Sequence, residues 1–155
     1  SNRAPVRRAR DLWTMTPPFQ RTHADFIALI RSLIAERRYE DVFSRGCCLH
    51  FALRAARRSN GTPVYTQASL DPEKKGHLFV VAPDGRAFDH KGYLLISDLK
   101  KEFCEWGDEA HFFASEAEIE QDIANRPLPD DLTATVFALA DQIIEMWVQQ
   151  SGDAK

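Results

Sequence analysis

The fold of this chain is decided between residues 46 and 61, which read GCCLHFALRAARRSNG. From Cys48 to Ser59 the segment is rich in Ala and Leu and contains neither Gly nor Pro, which favours a helix. Its apolar side chains recur on one helical face, at Leu49, Ala52, Leu53 and Ala56. Asn60-Gly61 follows, and both residue types tolerate the positive φ that ends a helix. The segment therefore predicts a helix packed on a core, with a cysteine in its first turn.

Strand patterns follow this helix over residues 62–96. Thr62–Ser69 is β-branched and aromatic, and residues 77–82 read HLFVVA, which is typical of a strand. Pro83-Asp84-Gly85 predicts a tight turn, because Pro fixes φ and Gly permits positive φ. Arg86–Asp89 then returns as a further strand. We therefore expect a small antiparallel sheet over residues 62–96.

Helices are predicted on both sides of the sheet. Before it, apolar residues at helical spacing predict a helix over 23–38, with Thr22 as its N-cap. After it, the sequence predicts a short helix at Ser97–Phe103, a strand at His111–Ala114, a helix from Ser115 to about Asn125 and a long closing helix from Asp130 onward. This order of helices, sheet and helices defines the α+β class. We expect one domain over residues 22–151, preceded by a basic arm at residues 1–21.

Composition excludes several classes of function. The chain has 155 residues, a net charge of −3 and 44% hydrophobic residues, so nucleic-acid binding is not expected. No apolar run approaches the roughly 18 residues of a membrane span, and the N-terminus lacks the apolar stretch of a signal peptide. Three cysteines, two of them adjacent, do not form a disulfide framework. We expect a cytoplasmic protein, or one secreted into a host cell without a cleavable signal, and no membrane partner.

Three residues are candidates for thiol chemistry. Cys48 begins the predicted helix, where the unpaired N–H groups and the helix dipole favour a thiolate. His77 opens a strand and is the candidate base. Asp89 ends the next strand, across the turn at 83–85, and is the candidate residue that orients the imidazole. The short hairpin is expected to bring His77 and Asp89 close together.

These motifs resemble the papain-like superfamily in its transglutaminase-like and phage or bacterial branches. The resemblance is carried by Gly46–Ala52, by His77–Val81 and by Asp84–Gly92, and it covers about residues 44–97. Such proteins place a G-x-C at a helix start, a histidine opening a later strand, and an aspartate soon after a D-G turn. The resemblance implies Cys48 as nucleophile, His77 as general base and Asp89 as orienter.

One feature departs from that pattern. Papain-type peptidases have a Gln before the cysteine that serves as an oxyanion donor, whereas residues 41–46 read DVFSRG. The backbone N–H of Cys48 is the replacement expected here, with Ser44, Arg45 and His90 as further oxyanion or supporting candidates.

The function expected from these features is that of a thiol hydrolase or acyl transferase acting on an amide or ester bond, with a protein or peptide as substrate. No glycine-rich phosphate loop occurs, so no cofactor is expected. A different class stays open: the same fold can serve as an inactive binding module. A third reading is an interaction protein that uses the basic arm and the arginines of the cysteine-bearing helix to bind an acidic partner.

Alternatives also stay open for individual residues. The G-x-C spacing favours Cys48 over Cys47, and Cys104 is expected in the core. His90 alternates with Asp89 along the strand, so exposure is expected for it. His50 lies two residues after Cys48, which turns it about 200° away on a helix. Zinc is disfavoured because no C-x-x-C or H-E-x-x-H spacing occurs.

Overall fold

The structure is a computed structural model that describes residues 22–68, 77–94, 109–113 and 115–153. Within these ranges the chain forms five helices and five strands. The predictions made for the basic arm at residues 1–21, for the helix at Ser97–Phe103 and for Cys104 lie outside the described residues.

The first helix, α1, spans His23–Ala35. Thr22 caps it as predicted, because the backbone N–H of Asp25 donates to Thr22 Oγ1 over 3.1 Å. The helix stops three residues short of the predicted end. Arg37 adopts a positive φ of 58° and turns the chain into a second short helix, α2, at Tyr39–Ser44. The sequence analysis did not predict α2, whose six residues are too few to show helical periodicity.

The central helix, α3, spans Cys48–Ser59, with the bounds that were predicted. Asn60 ends it in the left-handed conformation, at φ 54°. More of α3 is buried than one apolar face, because the sheet, α2 and two later helices all contact it. The buried residues are Leu49, His50, Phe51, Ala52, Leu53, Ala55 and Ala56.

The sheet is antiparallel throughout, in the order β4-β3-β2-β1-β5. Its strands are β1 at Thr62–Ala68, β2 at His77–Val81, β3 at Ala87–Asp89, β4 at Gly92–Leu94 and β5 at Glu109–Phe113. Alternate residues of β2 serve different cores, as strand geometry requires. Leu78 and Val80 pack in the main core with α3, whereas Phe79 packs with Val64 and Ala87 in a second, smaller cluster.

Two tight turns connect the strands around the candidate site. Between β2 and β3 the Ala82 N–H donates to Arg86 O over 2.8 Å, and Gly85 has the predicted positive φ, at 87°. Between β3 and β4 the turn consists of His90 and Lys91 only, and Gly92 follows with φ 116°.

Two helices close the fold. The fourth, α4, spans Glu116–Asn125, and Ser115 caps it by accepting the N–H of Glu118 over 3.1 Å. The long fifth helix, α5, spans Asp130–Asp153. Its buried side chains join α1, α2 and α3 in the main core, at Leu132, Val136, Ala140 and Ile144. The α+β class is thus confirmed, with a cysteine-bearing helix packed on a small antiparallel sheet. None of the described helices is long and apolar enough to cross a membrane.

Candidate active site

The two adjacent cysteines occupy different environments. Cys47 is fully buried in the main core, and burial raises the pKa of its thiol far above the ordinary value. Cys48 is partly exposed at the first position of α3. Because a thiol reacts as the thiolate and must be reached by the substrate, Cys48 is the better placed nucleophile of the two.

The start of α3 favours a negative charge. Within the described residues, no side chain caps this end of the helix, and its first turn contains no acidic residue. The N–H groups of the first turn and the positive end of the helix dipole therefore favour a negative charge at this end of α3. The sequence placed Cys48 here, and the observed helix has the predicted start.

The course of α3 brings Cys48 to one particular end of the sheet. At the far end of the helix, a Cβ on Gly61 would lie 2.7 Å from Val80 Cγ1. Near its start, the ring of Phe51 lies 6.2 Å from the ring of His90, which follows Asp89 directly. The start of α3 therefore lies at the end of the sheet where β2 begins and β3 ends. Those are the ends that carry the other two predicted residues.

The sheet register relates His77 to Asp89. Val80 pairs with Phe88, and one further step in this register sets Asp89 opposite Phe79. His77 lies two residues from Phe79, so it is a diagonal neighbour of Asp89 on the same face of the sheet. The structure describes His77 through its backbone, and a contact between its ring and Asp89 stays a prediction.

The face of the sheet that His77 and Asp89 share determines how Cys48 could approach them. His77 and Asp89 alternate with Leu78 and Phe88, which pack in the core that contains α3. Cys48 would therefore have to reach the pair around the end of the sheet rather than across its face. The position of Cys48 at a helix terminus is compatible with such an approach.

Asp89 is itself well ordered by its turn. Its side chain is buried, with 4% of the residue exposed. Its Oδ1 accepts the backbone N–H of Lys91 over 2.7 Å, which is the bond that stabilises turns beginning with Asp. Asp89 thus has a structural role in the β3–β4 turn that does not depend on catalysis, and this turn also holds its carboxylate in place.

His90 is not exposed, and the prediction that it would be was wrong. Only 8% of it is exposed, and its ring packs beside Phe43 of α2 and Phe51 of α3 at centroid distances of 6.4 and 6.2 Å. The alternation rule failed because His90 belongs to a two-residue turn rather than to a strand. In that position its side chain is directed by the turn and not by the pleat of β3.

A hydrogen bond joins His90 to a second candidate from the sequence. Ser44 Oγ lies 2.9 Å from His90 Nε2, and it also lies 3.0 Å from the carbonyl oxygen of Glu40, to which it donates. A hydroxyl has one proton to donate. With that proton on the bond to Glu40, the contact with His90 requires Nε2–H of the imidazole to donate to Ser44 Oγ.

The other residues before Cys48 have structural roles. Arg45 is exposed at the end of α2, where its backbone N–H donates to Asp41 O over 2.9 Å. Gly46 is required by packing, because a Cβ there would overlap Cε2 of the Phe26 ring. The glycine of the G-x-C motif is therefore explained by its contact with α1, without reference to catalysis.

His50 is a buried residue whose environment the sequence did not reveal. Only 2% of it is exposed, its ring lies 5.2 Å from that of Phe137 on α5, and neither ring nitrogen has a hydrogen-bond partner among the described residues. Burial lowers its pKa to about 4, so the ring is neutral at physiological pH. Within the described ranges, no three His, Cys, Asp or Glu side chains are grouped as a metal ion requires.

The arginines of α3 have carboxylate partners within the chain. Arg57 pairs with Glu116 at 3.0 Å and with Glu120, both on α4. On α5, Glu145 pairs with Arg58 at 3.2 Å, and Asp141 lies 3.9 Å from Arg54. These contacts connect the basic residues of α3 to α4 and α5. There is therefore less reason to expect that the arginines bind an acidic partner.

With the fold and the site described, the chain can be compared with known proteins. It matches no known family model, no curated protein and no solved structure. The class that the fold and site define is therefore an α+β protein with a partly exposed cysteine at the start of its central helix.

Proposed function

We propose that the protein is a thiol hydrolase or acyl transferase of papain-like or transglutaminase-like type, acting on an amide or ester bond of a protein or peptide. The observation that carries the proposal is the contrast between two neighbouring thiols. Cys47 is buried in the core, whereas Cys48 is partly exposed at the start of α3, toward the end of the sheet where β2 begins at His77 and β3 ends at Asp89.

In the proposed reaction, His77 removes the proton of the Cys48 thiol and the thiolate attacks the carbonyl carbon. The N–H groups at the start of α3 stabilise the oxyanion of the tetrahedral intermediate. His77 then returns the proton to the leaving amine or alcohol, which leaves an acyl group on Cys48. Water or an amine takes up the acyl group and restores the thiol. Asp89 orients the imidazole and stabilises its cationic form.

The first test is the pH dependence of iodoacetamide labelling, followed cysteine by cysteine with mass spectrometry. We expect Cys48 to label at about pH 6, where an ordinary thiol is largely protonated, and the variant His77→Ala to lose this early labelling. His23→Ala is the matched control, because it removes an exposed imidazole at the start of α1. Labelling of Cys48 only above about pH 8, with or without His77, would refute the proposal.

A binding module is the second candidate. It is favoured by two features of the sequence, the absence of a Gln from residues 41–46 and the presence of Cys47 directly before Cys48. Thiol reactivity separates the two candidates, because a module in which the triad is not assembled has an ordinary Cys48. If Cys48 labels early, the next step is a screen of peptide amides and esters with wild type and Cys48→Ser. Turnover by wild type alone would establish the enzyme.

A further inference from the structure

The Ser44–His90 hydrogen bond links two segments that are far apart in sequence and that both lead into the site. Ser44 is the last residue of α2 and lies four residues before Cys48. His90 directly follows Asp89 in the β3–β4 turn. The 2.9 Å contact is therefore a bridge between the segment before Cys48 and the segment after Asp89.

The ring of His90 is enclosed by two aromatic side chains. Phe43 and Phe51 lie edge-to-face at 5.5 Å, and the imidazole packs against both rings. Phe51 lies three residues after Cys48, and helical side chains lean toward the N-terminus, so its ring covers the turn that bears Cys48. A buried polar ring needs a hydrogen bond to offset its loss of water, and Ser44 supplies one.

We propose that His90 is a positioning residue for the thiol site: through Ser44 and the two phenylalanines it holds the Asp89 turn against the start of α3. The proposal rests on the proposed function, since it assigns His90 a role in setting the distance between Asp89 and Cys48. A role as the base itself is less compatible with the geometry, because Nε2 is engaged with Ser44 and the ring lies between aromatic side chains.

The experiment compares two pairs of variants. Ser44→Ala and His90→Phe remove the hydrogen bond, and His90→Phe keeps an aromatic ring in the pocket. Ser44→Thr and His90→Gln retain it, because Thr keeps a hydroxyl and the Gln amide nitrogen extends about as far as Nε2. The readout is the pH profile of Cys48 alkylation. If the Ser44–His90 contact only stabilised the fold, the variants that remove it would lower the melting temperature and leave this pH profile unchanged.

Ser59→Ala is the matched control. Ser59 is also the last residue of its helix, and its Oγ donates to the carbonyl oxygen of Ala55 over 2.7 Å, as Ser44 does to Glu40. It lies at the opposite end of α3 from Cys48. The control therefore removes the same kind of bond within a helix without touching the candidate site.

We expect Ser44→Ala and His90→Phe to move the Cys48 profile up by about one pH unit, which is roughly a tenfold slower alkylation at pH 6. The retaining variants and Ser59→Ala should follow wild type, and the double variant Ser44→Ala/His90→Phe should be no slower than either single one. His90→Gln as slow as His90→Phe would overturn the proposal, because the hydrogen bond would then not be the feature that matters.

The result with His77→Ala distinguishes this inference from the proposed function. If that variant loses early labelling while Ser44→Ala and His90→Phe match wild type, the positioning role is refuted and the proposed function stands. If His77→Ala matches wild type and His90→Phe alone abolishes early labelling, His90 is the base and the positioning role is refuted. If no variant differs from wild type, the proposed function falls and the inference falls with it.

Discussion

The start of α3 and the flank of α3 that faces α5 belong to one helix, but the polar side chains at these two places have opposite environments. At the start, Cys48 is partly exposed and the nearby imidazole of His90 is hydrogen-bonded. On the flank, His50 is buried against Phe137, and neither of its ring nitrogens has a partner among the described residues. One helix therefore has a polar, partly exposed terminus at Cys48 and a buried flank at His50 that tolerates only a neutral imidazole.

The largest expected effect concerns the flank and is a loss of stability in acid. The pKa of His50 is lowered to about 4 in the folded protein, against about 6.5 for an unfolded chain. As the pH falls below about 6.5, the unfolded chain takes up a proton that the folded chain does not. Stability therefore decreases until about pH 4, by roughly 3 kcal/mol. Urea unfolding between pH 4 and 7 measures this loss.

The matching variants are His50→Leu and His23→Leu. His50→Leu should flatten the pH dependence over this range, whereas removal of the exposed His23 should leave it close to that of wild type. Carboxylates titrate in all three proteins, so the difference between the curves isolates His50. Parallel curves for wild type and His50→Leu would show that the buried imidazole is not the source of the loss of stability in acid.

The second effect concerns the start of the helix. Gly46→Ala places a Cβ against the Phe26 ring, and overpacking of this kind typically costs about 1–3 kcal/mol. Because Gly46 lies two residues before Cys48, the displacement should also slow the early alkylation of Cys48. Chemical denaturation and the labelling profile measure the two consequences separately.

Gly61→Ala is the control for that variant. Its Cβ would be crowded in a similar way, at 2.7 Å from Val80 Cγ1, but at the far end of α3. It should destabilise the fold without changing the labelling of Cys48. If both variants slow labelling equally, a general loss of stability is responsible, and the special position of Gly46 is disproved.

The third effect compares the two cysteines directly. Cys47→Ala removes a fully buried sulfur and should destabilise the protein by about 1 kcal/mol, because a small cavity forms in the core. Cys48→Ala removes a partly exposed group and should change stability less, while it abolishes the early labelling. Melting curves and labelling of the two variants give the comparison. Early labelling that survives in Cys48→Ala and disappears in Cys47→Ala would reverse the assignment.

The smallest effect is expected on the charged surface of α3. Arg58 and Glu145 form an ion pair at 3.2 Å with both side chains about half exposed. Such pairs contribute roughly 0–1 kcal/mol and are screened by salt. Arg58→Ala should therefore lower stability by at most about 1 kcal/mol at low salt, and by less in about 1 M NaCl. A larger loss that salt does not reduce would indicate that the aliphatic part of Arg58, rather than its charge, is the stabilising element.

Local sequence patterns predicted most of the fold, because the interactions that determine these elements span only a few residues. The spacing of apolar residues, the absence of Gly and Pro and the Asn60-Gly61 end predicted both bounds of α3. The cap Thr22, the helix that begins after Ser115 and the turn at 83–85 were likewise predicted, since each depends on bonds to residues at most three or four positions away. Helix α2 escaped prediction because its six residues are too few to show helical periodicity, and the burial of Val42 and Phe43 depends on the tertiary structure.

The candidate site shows the same division between properties set by local sequence and properties set by tertiary contacts. The sequence alone determined that a cysteine begins a core-packed helix and that His77 and Asp89 lie on neighbouring strands, because alternation and turn length are local properties. Only the tertiary structure decided which cysteine is buried, that Gly46 meets Phe26, that His90 turns inward to Ser44, and that His50 is enclosed against α5. Burial and pKa depend on neighbours that are distant in sequence, and no pattern within one segment contains that information.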